Sequence, residues 1–328
     1  MSGQAGAPRA RYFSKEPKES LLIRFSTAAR KYWFIYLLAI PGLLFLLVFS
    51  YAPMYGVVLA FKDFKMNLGV MGSPWVGLYH YRELFADPAF IQAFKNTVII
   101  NIYNLIFGFT FNVFLALMIN ELQMKRLKSV VQTCVYLPYF LSWVIFAGLV
   151  QVFLQAPVPG DVGGVVNQVI QAMGGEPIDF MKRPEMFRGI LVITNIIKTA
   201  GYSTIIYLAA VAGVDPALYE AASIDGANRR DMLFHITIPR ILPSVAVMFL
   251  LSISQLFLSN FDQVYNLYNN FVLNTGDVLS TYIYRISLGG GGEFELSTAA
   301  NLLLNVMGLI ALVVTNRFVK KLDVMGIF

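Results

Sequence analysis

The sequence predicts an all-α integral membrane protein with six transmembrane helices, both termini in the cytoplasm, and helices in the cytoplasmic loop between spans four and five. Three observations predict it. Of the 328 residues 57% are hydrophobic and only 13% charged, with a mean hydropathy of +0.63, too apolar a balance for a soluble chain of this length. The apolar residues gather into stretches of about twenty, enough to cross a bilayer as helix. The basic residues flank those stretches unevenly. Sixteen Lys and Arg fall in the segments this topology puts inside: seven before the first span and three each in the loop after span two, the loop after span four and the carboxyl end. Only seven (Lys62, Lys65, Arg82, Lys95, Lys182, Arg183 and Arg285) fall in the longer outer segments. A single nucleic-acid-binding patch is excluded by the same distribution, although the net charge is +6.

Residues 1–31 are polar and basic and form a cytoplasmic amino-terminal segment, with 32–328 as the transmembrane domain. The first span, 32–61, is longer than a secretory core and lacks a small-residue cleavage site, so it reads as a retained anchor, with kinks expected at Pro41 and Pro53. An amphiphilic stretch, 62–95, carries the interfacial aromatics Trp75, Tyr79 and Tyr81. Span two, 96–119, contains Asn101, Asn104 and Asn112, whose amides must face other helices. Lys125, Arg126 and Lys128 mark an inner turn, and span three follows over 130–153. In the outer segment after it, Val165, Val166, Val169, Ile170 and Met173 follow a helical period and predict a short surface helix. Span four is 187–212, span five 244–261 and span six 298–318.

The stretch 215–243, DPALYEAASIDGANRRDMLFHITIPRILP, is polar and charged between two long apolar segments. Asp215 before Pro216 starts a helix, because a carboxylate accepts from free first-turn amides and proline tolerates the first helical position. Gly226 breaks that helix, Asn228 with Asp231 makes a capping box for a second, and Pro239 and Pro243 are expected to stop it. Two short helices meeting at a glycine form a knob that fits a cleft on another protein.

Glu220, Ala221 and Ala222, then Asp225-Gly226, then Ile236-Thr237-Ile238-Pro239 resemble the EAA signature of the membrane subunits of binding-protein-dependent ABC importers, with Ile238 in place of the usual Leu. The text GYSTIIYLAAVAGVDPALYEAASIDGANRRDMLFHITIP is most similar to carbohydrate-uptake permeases of the maltose and polysaccharide type. The resemblance implies a bacterial inner-membrane subunit whose coupling loop, through Glu220, Ala221, Ala222, Asp225, Gly226, Ile236 and Pro239, docks into an ATPase subunit. It also implies a homologous second permease, two ATPase subunits that bind ATP and Mg, an extracytoplasmic solute-binding protein and an oligosaccharide substrate. Other solutes, such as a peptide or phosphodiester, remain open within transport. A secondary transporter is the reading from another class, and the EAA loop argues against it.

The chain itself carries no G-x-x-x-x-G-K-[ST] phosphate loop, so ATP hydrolysis is expected on separate subunits, and no cofactor or metal is expected here. Gly289 to Gly292 read as a flexible linker. There is no H-E-x-x-H, no G-x-S-x-G and no carboxylate pair within the spans; Cys134 is the only cysteine, and His80 and His235 lack ligand spacing. A membrane enzyme is disfavoured. Lys198, deep in span four, faces either a water-filled pathway or carbonyls of a neighbouring helix. On the first alternative Gly201, Tyr202 and Ser203 offer a sugar close backbone approach, an aromatic face and a hydroxyl, and the cation suits an acidic, uronate-type sugar. In span five Ser252, Gln255 and Asn260 form a polar run that serves as helix glue or as a substrate wall.

Overall fold

The computed structural model describes residues 31–257 and 261–321, and they divide into two compact units, Met1–Gly56 and Val57–Phe328. The amino-terminal segment 1–30 and Asn260 lie outside the described residues. Within the described residues the secondary structure is helical, apart from isolated bridges pairing Lys62 with Trp75 and Val158 with Asp161. Among the described residues five helices are long and apolar enough to cross a membrane, six if a bent pair counts as one span.

In the first unit, α1 (Trp33–Leu46) contains Pro41 and runs on through a π turn, Leu47–Tyr51. The candidate span it begins extends to Phe61, the last ten residues as 3-10 helix.

The second unit opens on a loop and α2 (Tyr79–Ala86). Its second span starts eight residues earlier than expected, because Asp87 accepts from the Ala89 amide (2.9 Å) and Pro88 takes the first helical position. That span is α3 (Pro88–Tyr103), a π turn at Asn104–Gly108, and α4 (Phe109–Glu121). Span three is not one helix. α5 (Lys125–Phe140) and α6 (Trp143–Leu154) meet at 108°. Pro138 lies in the last turn of α5, Leu141 and Ser142 are extended, and the Ser142 hydroxyl accepts from the Ile145 amide to start α6 afresh. The predicted surface helix is present as α7 (Val165–Ala172). Its buried residue is Asn167, which pins Gln155 and Ile178, while Val165 and Val169 are exposed.

Span four, α8 (Pro184–Ala212), is the central post: it packs on α4 and α5 and on the turn Leu273–Gly276. After it come α9 (Pro216–Ile224) and α10 (Arg229–Met232), then a π turn, Leu233–Thr237, and α11 (Ile238–Ser254). The expected stop at Pro239 and Pro243 is corrected here: the second loop helix runs on into span five as one candidate span, Arg229–Ile253. Pro239 lacks the N–H an α-helix would use and its ring crowds the preceding turn, and the π turn just before it accommodates both. The segment between spans five and six contains α12 (Phe261–Leu267), packed on α6, and α13 (Leu279–Ser287), packed on α14 (Phe294–Lys321), the sixth span. The four glycines are not a loose linker either: Gly289 N–H donates to Tyr284, Gly292 N–H to Ser287 and Glu293 N–H to Ile286, closing α13 in a bonded turn.

Two apolar clusters hold the second unit together. One gathers Ile100, Phe146, Phe187, Leu191 and Val264 from α3, α6, α8 and α12, with Val278 just before α13. The other joins Phe90, Leu279, Tyr282 and Leu304. Large exposed apolar side chains elsewhere, such as Phe107, Phe114 and Leu309, are what a lipid-facing surface requires.

Candidate functional site

The loop 215–243 is built by local chemistry. Asp215 Oδ1 accepts from the Ala217 amide (3.0 Å) at the start of α9. At its end Gly226 has φ +80°, and the Ala227 amide bonds back to the Ala222 carbonyl (2.9 Å). Asn228 Oδ1 accepts from the Arg230 and Asp231 amides while Asp231 Oδ2 accepts from the Asn228 amide, a complete capping box. The knob is tied to the bundle by Val211, Val214 and Ile241, against which Leu218, Tyr219 and Ile236 pack. A hydrogen bond between the Tyr219 hydroxyl and Thr237 Oγ1 (2.9 Å) links α9 to the π turn. Glu220, Ala221 and Asp225 are exposed, Ala222 half-buried, and Pro239 exposed. Sequence reasoning missed Ile224 and Phe234, which stand 87% and 61% exposed on this polar loop. Their apolar character in a charged stretch was the available signal, since uncovered apolar side chains of that size suit an interface.

A cavity of about 470 Å³ lies among spans two, four and five. Span two contributes Asn101, Asn104 and Asn112, with the π turn at Asn104–Gly108 facing it. Span four contributes Asn195, Thr199, Ser203 and Tyr207, and span five Ser252 and Gln255. Gln263 closes one side, held by bonds to the Leu191 carbonyl (2.6 Å) and Thr194 Oγ1 (2.9 Å). The lining has amides and hydroxyls and no charged side chain. The carbonyl oxygens of Asn104 and Asn112 are buried without a partner among the described residues. Such acceptors are costly unless a ligand or solvent meets them. Of the expected pathway residues, Ser203, Ser252 and Gln255 are on this wall. Asn195, Thr199 and Tyr207 were missed, although their spacing of four on one helix face was legible.

Lys198, Gly201 and Tyr202 do not line this cavity. They lie on the face of α8 turned roughly 100° from Thr199 and Ser203, against the break between α5 and α6. The buried Lys198 ammonium donates to the carbonyls of Leu141 (2.6 Å), Tyr139 (3.1 Å) and Pro138 (3.2 Å). It also sits over the Trp143 ring at 5.2 Å. These carbonyls belong to a helix end and the break beyond it, and of the three Pro138 also accepts from the Leu141 N–H (3.3 Å), so the lysine caps the break. Tyr202 stacks on Tyr139 (5.1 Å between centroids). A Cβ on Gly201 would lie 2.8 Å from both the Tyr136 Cα and the Val135 carbonyl. Gly201→Val is therefore expected to separate α8 from α5, costing about 1–3 kcal/mol and lowering the thermal midpoint of the purified protein. An unchanged midpoint would show the contact to be unimportant.

The bundle of spans, the two-helix loop between four and five and the polar cavity can be compared with known proteins. Residues 108–324 match the family described as binding-protein-dependent transport system inner membrane component. The chain belongs to this family. It is therefore an inner-membrane transport component and not a catalytic enzyme. Among relatives of this permease, the polygalacturonan/rhamnogalacturonan transport system permease protein YteP of Bacillus subtilis (strain 168) is 40% identical over 99% of this chain and 98% of its own length. Protein LplB of the same strain is 37% identical over 93% of this chain and 94% of its own. A crystal structure of a bacterial ABC transporter involved in the import of the acidic polysaccharide alginate contains a chain that superposes with a TM-score of 0.82 at 38% identity, covering 91% of this permease and 99% of that chain. A second, of a bacterial alginate ABC transporter in complex with alginate pentasaccharide-bound periplasmic protein, gives 0.83 at 37% identity, covering 93% and 100%.

Proposed function

We propose that this permease subunit forms part of the translocation pathway of an ATP-driven importer for an oligosaccharide of acidic, uronate type, delivered by an extracytoplasmic solute-binding protein. The observation that carries it is the coupling loop of 215–243, a capped two-helix knob that follows span four, runs on into span five and presents Glu220, Ile224 and Phe234 outward. Closure of an ATPase dimer would move such a knob as a lever, because its second helix runs without interruption into span five. The partners on this reading are a homologous second permease and two ATPase subunits, which hold ATP and Mg, with residues 1–31 and the coupling loop in the cytoplasm of a bacterial cell. The cavity fits a sugar, whose hydroxyls both donate and accept and so pair with the amides of Asn101, Asn104 and Asn195.

Affinity purification of the chain from membranes, followed by mass spectrometry of the retained subunits, tests the assembly. A second permease and an ATPase in stoichiometric amount are expected. Recovery of an intact membrane protein that transports solute with no ATPase bound would return the secondary-transporter reading.

A further inference from the structure

The polar face of span four does not end at the cavity. Counting back from Asn195 by seven residues, two helical turns on the same face, reaches Arg188. That is roughly 10 Å along the axis from Asn195 and roughly 36 Å from the coupling-loop end of the helix. Asn96, on α3, is likewise one turn before Ile100 of the cavity wall. The two stripes are joined here: an Arg188 Nη donates to Asn96 Oδ1 (2.8 Å). Asn96 is oriented for this, since its Nδ2 is used up on the carbonyls of Asn274 (3.1 Å) and Asp277 (2.8 Å).

What Arg188 lacks is a counter-charge. Among the described residues its one hydrogen bond is to a neutral amide, its Nε is buried without an acceptor, and it forms no ion pair. The acidic side chain nearest in the network, Asp277, is already engaged by both Nη atoms of Arg285 (3.1 and 2.6 Å) and by Thr281. That hydrogen-bonded pairing raises the Arg285 pKa. Glu185, three residues before Arg188, is exposed and forms no ion pair. An unpaired guanidinium within a span is costly unless something anionic spends time beside it, and a planar guanidinium matches a sugar-borne carboxylate with two parallel hydrogen bonds.

We propose that Arg188 is a specificity-determining residue at the end of the pathway remote from the coupling loop, where it meets the carboxylate of a uronate as the oligosaccharide enters the neutral cavity. The inference rests on the oligosaccharide-importer reading above. It also divides the labour within this chain. Charge is recognised once, at Arg188, and the uncharged Asn, Ser and Thr wall beyond it handles hydroxyls without trapping the anion.

The test is uptake by vesicles holding the assembled importer and its binding protein, with trigalacturonate and its neutral methyl ester as paired probes. Both probes have the same rings and linkages, and the ester replaces each carboxylate by an uncharged –COOCH3 group. Arg188→Gln is expected to lower trigalacturonate uptake about tenfold or more while leaving ester uptake within twofold of wild type, and Arg188→Lys should recover part of the loss. Equal losses for both probes with Arg188→Gln would make the residue a structural bridge to Asn96 and overturn the proposal with the importer reading intact. Wild-type uptake of the ester alone would overturn it too. If the wild-type complex takes up neither probe, the uronate-oligosaccharide reading falls, and the proposal with it.

Discussion

Importers carrying Gly226→Val are expected to bind ATP and assemble but to import about five- to hundredfold more slowly, with ATP hydrolysis no longer stimulated by the loaded binding protein. Gly226 has φ +80°, and no atom lies within 4 Å of a Cβ added there, so space is not the constraint. The constraint is the backbone. A β-branched residue in the left-handed region costs about 1–3 kcal/mol, comparable with the hydrogen bonds that close the turn, Gly226 to Ser223 and Ala227 to Ala222. The chain relieves that strain by leaving the left-handed region, and this re-aims α10 relative to α9. Because α10 is continuous with span five, the error is carried into the lever itself. Gly226→Asn, which tolerates positive φ, should retain most activity. Wild-type import and stimulation in the valine variant would refute the coupling role.

How far the sequence could be read follows from the range of the forces involved. The caps at Asp215 and Asn228 and the turn at Gly226 were legible because each is decided within four residues, by which side-chain oxygen can reach which free amide. The spans were legible because bilayer burial acts on composition. The break in span three was not, because Pro138 alone is compatible with a kinked but continuous helix. What permits a right-angle break in an apolar setting is a donor for the freed carbonyls, and that donor, Lys198, is sixty residues away from Pro138. The same long-range dependence left the partner of Lys198 undecided between a water-filled pathway and these carbonyls. A buried cation attracts a functional reading, and of the neutral series Asn195, Thr199, Ser203 and Tyr207 on the cavity face only Ser203, close to that cation in sequence, was picked out. Pro239 failed as a stop signal for a local reason, the π turn before it, which no residue in the stretch announces.

Lys198→Met is expected to lower the yield of assembled importer severely while leaving uptake per assembled complex close to wild type. The substitution keeps the length and apolar bulk of the stem but removes three donors from the carbonyls of Pro138, Tyr139 and Leu141. Pro138 keeps its bond from the Leu141 N–H, but each buried acceptor left unmade at Tyr139 and Leu141 costs about 1–3 kcal/mol, partly offset because a charge no longer has to be buried. A net loss of about 3 kcal/mol is a large part of the stability of a membrane bundle, and it falls where α5 and α6 turn through 108°. Freed carbonyls favour straightening of the break, which would withdraw Tyr139 from its stack on Tyr202 and open the packing around Trp143. Lys198→Arg, which keeps donors and charge, should restore part of the yield. Two measurements separate the capping role from a pathway role: the thermal midpoint of the purified complex, and uptake normalised to it. A lowered midpoint with unchanged normalised uptake supports the cap. A normal midpoint with normalised uptake reduced about tenfold would return Lys198 to the pathway and require the ammonium to leave its carbonyls during transport.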